Sequence, residues 1–186
     1  VGQGLRAEAL RAIAKLLESL APQIASVDAV VIEDYGKGLI TRQLLEGLLP
    51  LARRHRKIVT VDPKEEHFDL YRGVTALTPN RSEAGRMVGR ELRTDADVDR
   101  AGAEILKQLA CEAVLITLGE DGMCLFERSK SPQRIPTLAQ AVFDVAGAGD
   151  TVIATFTLAL ASGASMKQAA QVANQAAGIV VGKVGV

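Results

Sequence analysis

No charge of one sign predominates: Lys plus Arg and Asp plus Glu number 22 each, and the formal net charge at pH 7 is zero. Such a chain has no global field that would draw nucleic acid or an anionic membrane surface, so neither is expected as a partner. The basic run Arg53-Arg54-His55-Arg56-Lys57 is short and reads as a solvated helix end. Cysteine is nearly absent. Cys111 and Cys124 have no paired spacing, which excludes a disulfide framework or a metal knuckle and predicts two buried, reduced thiols in a cytoplasmic protein. The only histidines, His55 and His67, lie in charged surroundings and are expected at the surface, which argues against a Ser-His-Asp triad. No apolar run reaches the ~18 residues of a membrane span. Val1-Gly2-Gln3-Gly4 lacks the basic-then-apolar pattern of a signal peptide. With no initiator Met, the native start is expected upstream.

Two phosphate-binding signatures are missing as well. There is no Gly-x-x-x-x-Gly-Lys-Ser/Thr, and no Gly-x-Gly-x-x-Gly follows a strand. What remains is an ordinary globular composition, 48% hydrophobic and 24% charged over 186 residues. That length suffices for one domain with a real core and is short for two.

Leu10, Ile13, Leu17, Leu20 and Ile24 fall three and four apart, the stripe of an amphipathic helix. Ala29-Val30-Val31-Ile32 reads as a strand covered on both faces. Thr41 is placed to cap a helix carrying Leu44, Leu45, Leu48 and Leu49. Lys57 to Asp62 reads as a second buried strand, stopped by Pro63, and Val74 to Leu77 as a short third. Ser82 is expected to cap the next helix, through Met87-Val88, and Thr94 the one after it. Ala113 to Thr117 and Met123 to Phe126 pair across the turn Gly119-Glu120-Asp121-Gly122, and Ser129 to Pro132 is a surface loop. Two Ala-rich helices close the chain, split at Ser162-Gly163, their small residues suited to close contact with a sheet. Strands alternating with helices predict a mostly parallel sheet between helical layers.

Polar clusters follow the apolar runs at Glu33 to Gly38, Asp62-Pro63-Lys64, Thr78 to Glu83 and Thr117 to Gly122. Ligands gather beyond the carboxyl ends of such strands. The most informative stretch is Asp144-Val145-Ala146-Gly147-Ala148-Gly149-Asp150-Thr151. Bare backbone at a helix start attracts anions, yet Asp150 in that first turn would repel one. The conflict resolves if Asp150 strips a proton from a nucleophile while the amides hold a transferring phosphoryl group.

Gly147-Ala148-Gly149-Asp150 and Asn80-Arg81-Ser82-Glu83 resemble the signatures of the ribokinase-like carbohydrate kinases, the phosphofructokinase-B family. Asp34-Tyr35-Gly36-Lys37-Gly38, Asp62-Pro63-Lys64 and Leu77-Thr78-Pro79-Asn80 are most similar to the branch acting on heptose 7-phosphates for ADP-heptose and lipopolysaccharide core synthesis. The resemblance runs over nearly the whole chain from about Val27. It implies a ribokinase-like three-layer α/β/α sandwich, mostly parallel, whose N-terminal sugar site and lid lie outside these residues. ATP and a sugar phosphate are the implied partners, with Mg2+ and a K+ ion as cofactors, and a homodimer as the assembly.

By the same resemblance Asp150 is the proton acceptor, and the Ala148, Gly149 and Asp150 amides with Gly147 form the anion hole. Asn80 and Glu83 organise Mg2+ through water, and Asp144 holds a monovalent cation. Thr117, Gly119, Gly122 and Asn174 border the nucleotide. Lys64 meets a phosphate, and Asp34 and Lys37 frame the site floor. Ala146 departs from the Thr usual in the family, without removing an amide. A ribokinase or fructokinase specificity is the alternative within the class. A silent binding module on the same fold would be marked by loss of Asp150, Asn80 or Glu83, and all three are present.

Overall fold

The computed structural model describes residues 2–137 and 145–183, with side chains from residue 8 onward except at 65. Asp144 lies outside the described residues. Among the described residues six strands form one sheet in chain order. Four are parallel: β1 (Ala29–Glu33), β2 (Ile58–Asp62), β3 (Ala76–Leu77) and β4 (Ala113–Thr117). β5 (Met123–Glu127) and β6 (Gln133–Ile135) follow antiparallel.

One face of the sheet is covered by α1 (Gly2–Ser26), α2 (Arg42–Arg54), α3 (Arg81–Met87) and α4 (Asp95–Leu109). Leu45, Leu48, Ala52, Val98 and Ile105 bury there against Val61, Leu77 and Val114. On the other face lie α5 (Ala148–Ala161) and α6 (Met166–Val181). Here Val152, Phe156, Leu160, Ala169, Ala170 and Ala173 meet Ala76, Ala113, Leu115 and Leu125. The alanines of α6 thus serve close helix-to-sheet packing, as their spacing predicts. Cys111 and Cys124 are free and fully buried, and burial pushes both thiols up to about 11, away from reactivity. Among the described residues no helix is long and apolar enough to cross a membrane.

The structure departs from expectation in four places. β1 is the sheet edge rather than a strand covered on both faces, and Val31 is 42% exposed. Asn80, not Ser82, caps α3, because its side chain accepts from the Glu83 amide while Glu83 returns a bond to the Asn80 amide. β6 is unforeseen, a three-residue strand after Pro132. His67 is not a surface residue in the ordinary sense: its ring meets Asp34 at 2.6 Å.

α5 is tied to the sheet by a buried pair of hydroxyls. Thr60 of β2 and Thr157 of α5 are 2.6 Å apart, and Thr157 also donates to the Ile153 carbonyl at 2.6 Å. The Thr60 hydroxyl has Thr157 as its partner, whereas Thr157 keeps Ile153 if Thr60 is lost. A net hydrogen bond is worth about 1 kcal/mol, and a buried group left unsatisfied costs about 1–3 kcal/mol. Thr157→Val is therefore expected to destabilise more than Thr60→Val, read as the larger drop in urea midpoint. The reverse order would contradict this assignment of partners.

Candidate active site

Because β1 to β4 are parallel, their carboxyl ends share one edge. Glu33 and Asp62 stand opposite each other in register there. Thr117 is bridged to Asn80, with its amide on the Pro79 carbonyl at 3.0 Å. The start of α5 reaches the same edge, and Tyr35, just beyond β1, lies near enough to Asp150 in its first turn for that acid to bear on its hydroxyl.

Gly147 opens α5 in the left-handed conformation, φ 71°, with no side-chain cap. Ala148, Gly149 and Asp150 are the first three helical residues, whose amides lack acceptors one turn back. The Ala148 amide is taken by the Val145 carbonyl at 3.3 Å. Of the expected anion-hole donors, Gly149 and Asp150 therefore carry the free geometry, with Ala148 engaged. The Asp150 side chain is exposed at the edge of this turn rather than buried in the core.

Beside the helix start lies a cavity of about 470 Å3, within the range of small-ligand sites. Thr117, Gly119, Gly122 and Asn174, the four residues expected at the nucleotide, all line it, together with Ala148 and Gly149. Gly122 has φ +83°, and an added Cβ would fall 2.1 Å from the Ile135 carbonyl oxygen, so no side chain fits. Asn174 is 4% exposed and donates to the Pro136 carbonyl at 2.8 Å, which fixes α6 along the cavity wall.

The remaining expected residues fall into two groups. Lys64 donates to Glu83 at 2.7 Å, and the other Glu83 oxygen accepts from the Asn80 amide at 3.0 Å. The Asn-x-x-Glu spacing thus builds a capping box whose acid also holds an ammonium. Asp34 turns inward: its carboxylate accepts from the Tyr71 hydroxyl at 2.6 Å and the Gly36 amide at 2.8 Å, and faces His67. Burial pushes the Asp34 carboxyl up, but these bonds together outweigh it and hold it below its ordinary value. Asp34 thereby braces the loop and does not present its carboxylate to the site. Lys37 is exposed on that loop and is not drawn into the cluster.

Two neighbours of Asp150 received no role from sequence. Asp62 is half-buried, and its carboxyl is pushed up to about 7, first by burial and then by the Glu83 charge; Lys64 offsets this in part, while Asp150 and Glu33 add to it. Tyr35 donates to Glu33 at 3.2 Å, and its hydroxyl is pushed up to about 12, chiefly by the nearby Asp150 carboxylate. The position of Asp62 at a strand end was a sequence signal for it. The approach of Tyr35 to Asp150 joins residues 35 and 150 and left no local trace. Among the described residues no group of three or more His, Cys, Asp or Glu side chains stands ready to hold a metal unaided.

The fold is ribokinase-like. It is similar to Arabidopsis thaliana ribokinase complexed with ribose and ATP, TM-score 0.76 at 24% identity, covering 89% of this chain and 53% of that one. It is also similar to Escherichia coli phosphofructokinase-2 in complex with potassium, TM-score 0.79 at 22% identity, covering 91% and 56%. The pfkB family carbohydrate kinase profile matches residues 5–186, and the chain belongs to that family. In sequence it is similar to the bifunctional protein HldE of Desulfatibacillum aliphaticivorans, 45% identical over 183 residues, 98% of this chain and 37% of that protein. HldE of Caulobacter vibrioides is 46% identical over 173 residues, covering 92% and 36%. The chain spans a little over a third of these relatives and a little over half of the two solved kinases.

The raised Asp62 carboxyl has a consequence for stability. The folded protein keeps this proton to higher pH than the unfolded chain, so rising pH weakens the fold between the ordinary value of 3.8 and about 7. In chelator, the urea midpoint of Asp62→Asn should gain on the parent across that window. A constant difference would contradict the burial and charge assigned to Asp62.

Proposed function

We propose that residues 1–186 form the C-terminal, nucleotide-binding and catalytic portion of one ribokinase-like kinase domain. It transfers a phosphoryl group from ATP to a hydroxyl of D-glycero-β-D-manno-heptose 7-phosphate, giving the 1,7-bisphosphate in the cytoplasm. The observation that carries this reading is the cavity itself: four residues named for the nucleotide line one space of about 470 Å3 together with Gly149, the residue before Asp150. The heptose specificity rests on the Asp34 to Gly38 and Asp62 to Lys64 loops and on the similarity to HldE.

Asp150 accepts the proton of the attacking sugar hydroxyl. The open amides of the first turn of α5 hold the transferring group, which the helix dipole favours when it is negative. Phosphoryl transfer otherwise asks for positioning and charge neutralisation. The donor set fits Mg2+. Glu33, Asp62, Glu83 and Asp150 offer oxygen ligands, and a raised Asp62 carboxyl marks an edge with too little positive charge. Mg2+ typically takes one or two carboxylates with waters and phosphates rather than a full protein cage. Glu83, with Asn80, would hold it through water, since each carboxylate oxygen keeps a lone pair beyond its present bond. When bound, the ion supplies neutralisation of the polyphosphate charge.

Asp150→Asn in the whole protein is expected to lower turnover by roughly 10²-fold or more while calorimetry finds nucleotide affinity retained. Parallel loss of both would make Asp150 a structural element of α5 and overturn its role as base.

A further inference from the structure

Three polar groups converge on one buried carboxylate behind the loop that follows β1. Asp34 is 3% exposed. One of its oxygens accepts from the Gly36 amide at 2.8 Å. The other meets both the Tyr71 hydroxyl and the His67 ring at 2.6 Å, from the short 3-10 helix Glu65–Leu70 and the residue after it. A local turn needs only the Gly36 bond. The fully buried Tyr71, with His67, therefore anchors the loop from behind, and this full set of bonds offsets the cost of burying the carboxylate.

What the anchor holds is Lys37. It lies between Gly36 and Gly38, whose φ angles are +65° and +86°, in a stretch that would otherwise be costly to order. The loop borders the strand-end edge, since a Cβ added at Gly36 would lie 4.0 Å from Lys64 Cγ. It does so on the β1 side, three strands from Thr117 and the nucleotide cavity. The other cations of this edge are taken: Lys64 pairs with Glu83 and Arg81 with Asp121. Lys37 is exposed and makes no ion pair among the described residues.

We propose that Asp34, Tyr71 and His67 form a clamp that positions Lys37 to receive the phosphate of the sugar substrate. Tyr71 and His67 then set affinity for the phosphorylated sugar without touching it. This inference rests on the reading of the chain as a heptose 7-phosphate kinase. Such a substrate carries its phosphate at the end remote from the hydroxyl that attacks, so it calls for a cation set apart from Asp150. A cation already held in place binds with less ordering cost than a mobile one.

The test compares Tyr71→Phe, His67→Ala and Lys37→Gln with the parent in the whole protein, with ATP and the heptose 7-phosphate. Lys37→Gln is expected to raise KM for the sugar phosphate roughly ten-fold or more, the scale of a bond between charged groups. Tyr71→Phe keeps the ring in the core and should raise the same KM roughly three-fold, the scale of one ordinary hydrogen bond. His67→Ala, at a side chain 19% exposed, reaches the same carboxylate without opening the core and should act in the same direction. In both clamp variants kcat and the calorimetric affinity for ATP should match the parent. Adding either clamp change to Lys37→Gln should raise KM no further, because the clamp acts through Lys37. A parent-like KM in both clamp variants, or factors that multiply in the double variants, would overturn the proposal. So would a matching loss of ATP affinity, which would mark general loosening of the fold. If the parent itself does not phosphorylate the heptose 7-phosphate, the functional reading falls and this inference with it. If the parent turns over and the clamp variants equal it, the inference alone falls.

Discussion

The site depends on α5 being immobile along its length and bare at its start. A helix start holds an anion only while its first amides stay uncovered, and uncovered ends fray unless the rest of the helix is pinned. α5 meets both demands by division. Val152, Ile153, Phe156 and Leu160 are buried, and the Thr60 to Thr157 hydrogen bond locks the helix against β2 two turns in. Gly147 in the left-handed region then starts the helix with no side chain over the amides. The place of Asp150 follows from that anchoring.

Electrostatics at the strand ends set the second condition. Parallel strands in register bring Glu33 beside Asp62, and α3 and α5 add Glu83 and Asp150. The Lys64 ammonium, paired with Glu83, answers them in part. Burial first, and then these charges, push the Asp62 carboxyl up to about 7. An acidic edge of this kind repels a bare polyphosphate and suits one that arrives with its charge neutralised, while a backbone donor at the helix start receives the group without adding charge. In the proposed reading the apolar cavity and the acidic edge would divide between them the two ends of a nucleotide.

The chemistry legible in sequence was the part encoded locally. Apolar runs of four or five residues marked β1, β2 and β4, and Gly147 to Asp150 marked the helix start. The strand-end rule placed Thr117, Gly119 and Gly122 together, and the family resemblance added Asn174 from the last helix. Misplaced features depend on pairing or on competition. Asn80 and Ser82 both suit a cap, and only Asn80 has an acid three residues on; the Asn-x-x-Glu spacing was itself a capping-box signal that a metal role obscured. β6 is three residues long, too short for periodicity, and exists through β5. His67 looked exposed because its partner Asp34 lies thirty-three residues away. The nearness of Tyr35 to Asp150 escaped for the same reason, since it arises only when α5 packs against β1.

Mapping amide chemical shifts on adding a non-hydrolysable ATP analogue with Mg2+ would test the central claim most directly. The account predicts that the Gly119, Gly122, Gly149 and Asp150 amides and the Asn174 side chain shift together and saturate with one constant. Shifts confined to the other end of the sheet, around Arg53, Lys57 and Thr75, with the start of α5 unmoved, would contradict it.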